Sequence, residues 1–387
     1  MMSAGAVSEK ASFFQRFLLP GFAFKGFVIG GGYATGRELA EFFLVSGPWG
    51  GIAGMVLAML LWSLICAATF AFAQAFRAFD YRSFFAALLG PGWIIFEIAY
   101  VLFIILVVAV FGAAAGEIGA AIFGIPVMAG SIVLALAIVA ATALGNESVE
   151  RLFKFATPFI YLVYIVFMLL AFTSFGERIA DHFAVAASPE SWALGGVTYA
   201  SYNVVGAVVI LPLLRHLTSR RDAVIAGLTA GPLAMWPAIM FFVCMVAFYP
   251  GIEVETLPSN FMLEKLNNPL FQIGFQLMIF TALLESGVGA IHSINERVDH
   301  VLRTRRNIGL GTVARIAIAV TILIGCIFVA DRFGLIALIA SGYTALAYIF
   351  IGVYILPLMT LGIVKLYRNA GQPRLPNDPD IQVKDVL

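Results

Sequence analysis

Ten stretches of this chain stay apolar for about 20 residues or more, the length a helix needs to cross a bilayer. They run over 14–45, 48–76, 92–123, 127–145, 152–175, 194–217, 222–249, 269–300, 309–330 and 334–366. Gly47-Pro48, Gly90-Pro91-Gly92, Gly124 to Pro126, Gly145-Asn146 and Tyr249-Pro250-Gly251 separate them as turn signals. Inside lipid a helix satisfies its own backbone, so the expected fold class is an all-α polytopic membrane protein of about ten spans. Composition agrees: 12% of residues are charged and 61% hydrophobic, against roughly 25% charged in a soluble domain. The surplus apolar surface requires the lipid bilayer as its partner. A net charge of +1 builds no basic field, which argues against nucleic acid. Cys66, Cys244 and Cys326 sit within apolar stretches, so no disulfide framework is expected.

Orientation follows from the basic residues. With the N-terminus cytoplasmic, Arg178, Lys265 and Arg332 fall in outer loops and Lys25 and Arg37 within the first segment, leaving 18 of the 23 on the cytoplasmic side. That asymmetry predicts a multi-pass protein of the cell (inner) membrane with both termini inside. The longest outer connection, 176–193, divides the chain into two halves of five segments. An odd number per half makes the second half inverted relative to the first. The expected organisation is a cytoplasmic N-terminus over 1–13, a first five-helix repeat over 14–175, the outer loop, a second repeat over 194–367 and a disordered tail over 368–387.

Both halves begin with an interrupted segment. In the first, Gly30, Gly31 and Gly32, followed by Tyr33, Thr35 and Gly36, fall near the middle of an apolar run. Each glycine there weakens a helix by about 1 kcal/mol relative to alanine. The run predicts an unwound stretch at mid-membrane, although small residues also serve close helix packing. The second half opens with Gly195-Gly196, then Thr198, Tyr199, Ser201, Tyr202, Asn203 and Gly206. Discontinuous helices 1 and 6 in a five-plus-five inverted repeat mark the place where transporters hold their substrates.

Specific runs strengthen this reading. GGGYATGRELAEFF over 30–43 and TYASYNVVGA over 198–207 resemble the YkvI-like family of bacterial permeases, within the amino acid–polyamine–organocation superfamily. The resemblance covers nearly the whole chain. It implies the fold of the sodium-coupled leucine transporter, with substrate held between helices 1, 3, 6 and 8.

A charge inside the membrane costs about 2.5–3.5 kcal/mol on insertion scales, so each needs a reason. Glu285, mid-way along segment 8, reads as a proton-coupling group, as counter-ion to a cation, or as a structural carboxylate paired with arginine. Glu38 follows the first break and lies roughly where relatives place a coupling-ion or substrate ligand, while Arg37 and Glu41 are spaced to pair along one helix face. Lys25 and Lys154 are expected to snorkel to the cytoplasmic interface. The sharper alternative is that one replaces a coupling sodium ion, as a lysine does in some superfamily members. Ser286, Gly289, Ala290 and Ser293 form one small-residue face, suited to packing, with Ser286 a candidate sodium ligand by the same analogy. His292, Asn295 and Glu296 are placed to form an inner gate with Arg297.

No GxxxxGK[ST], HExxH or GxSxG pattern occurs, and four scattered histidines offer no metal cluster. An enzyme is therefore not expected, nor any cofactor beyond Na+ or H+ as coupling ion. The reading is a secondary-active transporter of a small polar organic solute, an amino acid or related zwitterion being the first candidate. A transporter-like sensor and a passive channel remain alternatives.

Overall fold

The computed structural model describes residues 12–143, 146–185, 191–306 and 309–370; the side chains of 146–157, 300, 304–306 and 369–370 are outside the description. The expected N-terminal and tail segments therefore fall largely outside it, as does the Lys154 side chain.

Among the described residues every regular element is helical. Among the described residues six helices are long and apolar enough to span; spans 1 and 6 are broken, α7 of span 4 has only 17 residues, and spans 9 and 10 run together as one. Span 1 is divided into α1 (Leu19–Val28), α2 (Gly31–Thr35) and α3 (Arg37–Phe42). Span 2 is α4 (Gly47–Phe76), followed by a short helix, α5 (Tyr81–Leu89), that the hydropathy pattern did not reveal. Spans 3 to 5 are α6 (Trp93–Phe123), α7 (Val127–Ala143) and α8 (Asn146–Val185). Span 6 combines α9 (Trp192–Asn203), α10 (Val205–Val209) and a tight 3-10 stretch, Leu211–His216. Span 7 is α11 (Arg220–Val246); α12 (Pro258–Leu266) then lies outside the spans, and span 8 is α13 (Pro269–Arg306). Spans 9 and 10 run through α14 (Thr312–Ala337), which bends at Gly334 (φ 73°), then α15 (Thr344–Phe350) and α16 (Ile363–Ala370).

Two boundaries differ from expectation. Residues 176–185, read as outer loop, extend α8 to Val185. Gly195 and Gly196, read as part of an interruption, lie inside the continuous helix α9. A Cβ on Gly195 would collide with the Phe42 carbonyl oxygen, and one on Gly196 would sit 2.5 Å from the Gly54 oxygen. These glycines let α9 press against α3 and α4, as small residues do between membrane helices. The helix in span 6 is interrupted about two turns later, at Val204, between α9 and α10.

Packing divides the spans into two bodies. The pair α4 and α11 makes the most extensive helix contact, with α9 and α1 against them. Gly227 and Gly231 of α11 meet the α4 backbone at Ala67 and Met59, so nothing larger than glycine fits there. A second body is built from α6, α7, α13 and the first part of α14. Spans 1, 2, 6 and 7 thus form one unit and spans 3, 4, 8 and 9 another.

Candidate functional site

The break in span 1 is abrupt. The helix ends where Ile29 leaves helical geometry (ψ 70°), and Gly30 is extended (φ −95°, ψ −173°) before α2 restarts at Gly31. A second interruption follows at Gly36 (φ +79°), a left-handed conformation that favours glycine; an added Cβ would also lie 2.8 Å from the Phe241 ring. The two interruptions turn successive side chains of one span in different directions. Arg37 and Glu38 part company as a result.

Arg37 faces the side of the molecule away from the chain ends. Its guanidinium donates to the Glu253 oxygen at 2.6 Å, the Glu255 oxygen at 2.9 Å and Glu41 Oε2 at 2.7 Å. The expected pairing with Glu41 is present, but it is one part of a larger clamp on the 251–255 turn. Glu38 instead points inward and is buried, accepting a hydrogen bond of 2.6 Å from Tyr202 Oη. Tyr202 in turn stacks on Tyr343, ring centroids 4.5 Å apart. Three spans therefore converge on one carboxylate.

Beneath it opens a cavity of about 310 Å³ between the two helical bodies. Its wall includes Gly30 and Glu38 from span 1, Tyr100, Phe103 and Phe111 from α6, Tyr202 and Asn203 from α9, Glu285, Ser286, Gly289, Ala290 and Ser293 from α13, and Tyr343 from span 10. Two carboxylates line it, and no lysine, arginine or histidine is among the lining residues. Ligand pockets commonly combine an apolar wall with a few convergent polar groups in this way. The cavity extends from Glu38 toward the side on which the described chain ends lie, reaching Gly26, Tyr100 and Ser293.

The sequence candidates thus separate into two sets. Gly30, Glu38, Tyr202, Asn203, Glu285 and Ser286 come together on the cavity wall. Tyr33, Thr35, Thr198, Tyr199 and Ser201 do not line it. Tyr33 accepts a hydrogen bond from Tyr164 Oη at 3.2 Å, Ser201 Oγ donates to the Val197 oxygen of its own helix, and Tyr199 packs on Trp62 and Phe43. Gly31 and Gly32 form the first turn of α2. The small-residue stripe of α13 faces the cavity; close packing falls instead to Gly287, whose added Cβ would meet Ile138 Cδ1 at 2.5 Å. Sequence reasoning missed Tyr100, Phe103 and Tyr343, aromatic residues with no local signal to separate them from packing.

The expected inner cluster on α13 is also rearranged. Arg297 does not act with His292 and Glu296; it bonds Glu97 Oε1 at 3.0 Å and lies between the Tyr81 and Tyr100 rings, 3.9 Å from each centroid. Glu296 pairs with Arg315 at 2.7 Å. Lys25 is half-buried between two rings, its ammonium 4.4 Å from the Tyr161 centroid and 5.9 Å from that of Phe22.

Known structures share this architecture. The chain aligns with MhsT in complex with L-phenylalanine at a TM-score of 0.54 and 18% identity, covering 93% of this chain and 99% of that one. It aligns with the inward-facing conformation of Mhp1 at 0.55 and 17%, covering 88% and 76%. A manganese transporter of Eremococcus coleocola, in its E129A form, gives 0.55 and 18%, covering 91% and 81%. This is the leucine-transporter-type fold. In sequence, the chain is 24% identical to the uncharacterized membrane protein YkvI of Bacillus subtilis (strain 168) over 296 residues, 73% of this chain and 80% of that one. No family model matches the chain. The fold accounts for the two bodies, the broken first span and the cavity between them.

Proposed function

We propose that this protein is a secondary-active transporter that carries a small polar organic solute across the cytoplasmic membrane by alternating access. The observation that carries the reading is the cavity at the break in span 1, with Glu38 and Glu285 in its wall and no basic side chain among its lining residues. Such a site favours a solute with a positively charged group, held against aromatic surface. Glu38, Tyr202 and Asn203 would contact the solute, with Gly30 presenting backbone. An amino acid or related zwitterion remains the first candidate, and MhsT, which shares the fold, is seen with L-phenylalanine. Glu285 and Ser286 would couple the movement to Na+ or H+. Lys154 belongs to the same proposal as a charge able to stand in for sodium.

Transport would proceed by rocking spans 1, 2, 6 and 7 against spans 3, 4, 8 and 9, which exposes the shared cavity to one side at a time. The chain ends would be cytoplasmic, which makes the present cavity the inward-directed state and the Arg37 clamp the outer seal.

Binding comes first in testing. Thermal shifts of purified protein are measured against amino acids, amines, betaines and nucleobases, in sodium and in choline, at two pH values. Ligand at about 100 times its Kd stabilises the native state by about 2.7 kcal/mol. Proteoliposome uptake of the solute that binds should then fall at least tenfold in Glu38→Gln and lose its ion dependence in Glu285→Gln. Unchanged uptake in both variants overturns the proposal.

A further inference from the structure

A second cavity, of about 380 Å³, lies on the opposite face of span 1 from the first. Lys25, Ile29 and Ala34 of span 1 form one wall, and α8, α11 and α13 form the others. Its lining is mostly hydrocarbon, aromatic ring and thioether, including Met168, Met240 and Met278, with the tyrosines Tyr161 and Tyr164 and the Lys25 ammonium as its single formal charge. Ile165, Leu169 and Trp236 line it and are each more than half exposed, so it opens between α8 and α11 at the side of the helical bundle. Its volume is more than twice the roughly 150 Å³ of an engineered apolar cavity that accepts benzene.

Lys25 is what makes this more than a crevice for bulk lipid. Its ammonium rests on the Tyr161 ring, and no ion pair among the described residues includes it. Along the helix it lies nine residues beyond Arg16, roughly 13 Å deeper at 1.5 Å per residue. Arg16 itself is tied to Asp222 at the end of the bundle. A charge at that depth calls for a partner. A diacyl lipid headgroup would have to leave the interface to reach it. A slender carboxylate can enter from the lipid in its neutral form and ionise beside the ammonium.

We propose that this cavity binds a single-chain amphiphilic carboxylate of the fatty-acid class, its head on Lys25 and its chain among the methionines of α8, α11 and α13. From Tyr161 to Phe172 the cavity follows α8 for roughly 16 Å, enough for an extended chain of medium length. Methionine suits such an occupant, because its flexible thioether adapts to a chain of no fixed shape. The site stands apart from the proposed transport function and is tested without it.

The test uses protein in phosphatidylcholine nanodiscs and dodecanoate carrying a diazirine at its terminal carbon. After irradiation, labelled residues are located by mass spectrometry. Label should appear on α8 and α11 near Met168 and Met240, and unlabelled dodecanoate should compete at least tenfold better than dodecylamine or methyl dodecanoate. Lys25→Met should weaken labelling at least tenfold, Lys25→Arg should retain it, and Met240→Trp should abolish it by filling the cavity. Equal competition by the amine or the ester, or undiminished labelling of Lys25→Met, overturns the proposal. Displacement by phosphatidylglycerol at lower mole fraction than dodecanoate also overturns it, by assigning the cavity to a diacyl lipid.

Discussion

Replacing Arg37 with glutamine should open the seal proposed for the outer side. The guanidinium makes three charge-assisted hydrogen bonds, two to the carbonyls of Glu253 and Glu255 and one to Glu41. Each bond of this kind contributes about 1.5–3 kcal/mol. These contributions are already net of water, and glutamine keeps at most one bond, as a neutral one of about 0.5–1.5 kcal/mol. The closed arrangement therefore loses at least about 3 kcal/mol, or roughly a 100-fold or larger shift toward opening at 1.4 kcal/mol per factor of ten. The reporter is a cysteine in place of Val107, on the cavity wall of α6. Native Cys66, Cys244 and Cys326 are buried and should contribute little background. A membrane-impermeant thiol reagent supplied from the outer side should label the Arg37→Gln protein at least ten times faster than the parent, while labelling from the inner side does not rise. Equal outer rates in the two proteins would refute the assignment of Arg37 as the seal.

Three further perturbations address the scaffold. Gly36→Ala forces a side chain into a left-handed conformation against the Phe241 ring, and should cost about 1–3 kcal/mol, read as a lower Tm in detergent with no gain from any ligand that binds the cavity. Gly195→Ala pushes α9 off the Phe42 carbonyl; overpacking of this kind costs about 1–3 kcal/mol, and the folded yield on size-exclusion chromatography should fall, whereas Gly176→Ala, which meets nothing within 4 Å, should leave it unchanged. Arg16→Ala removes the two-pronged bond to Asp222 at 2.8 and 2.9 Å and should free the start of span 1, seen as faster hydrogen exchange over 14–28 and unaltered exchange in α7.

What the sequence revealed depended on how local each signal was. Long apolar runs and their punctuation located most spans within a few residues, because lipid imposes one secondary structure on any crossing, but not the end of α8, which runs ten residues past its expected limit. The break in span 1 was equally legible, since consecutive glycines weaken a helix wherever it packs. Span 6 marks the limit. Its glycine pair looked like a second break, yet Gly195 and Gly196 are demanded by carbonyls of α3 and α4 that lie far away in sequence. The actual interruption at Val204 follows residues that carry no helix-breaking signal of their own.

The cavity repeats this division. Glu38 and Glu285 were visible because a carboxylate within a span is costly enough to be informative. Tyr100, Phe103 and Tyr343 were not, because an aromatic residue is equally at home in lipid, in packing or on a cavity wall, and only the convergence of spans 1, 3, 6, 8 and 10 decides which. Lys25 combines both cases. Its charge made it conspicuous, while its ring neighbours lie on other turns and another helix. The structure holds it over Tyr161, at one end of an apolar chamber that no local pattern announces. A charge inside a span therefore tells from sequence that a partner is needed, while the neighbouring helices determine what kind of partner fits.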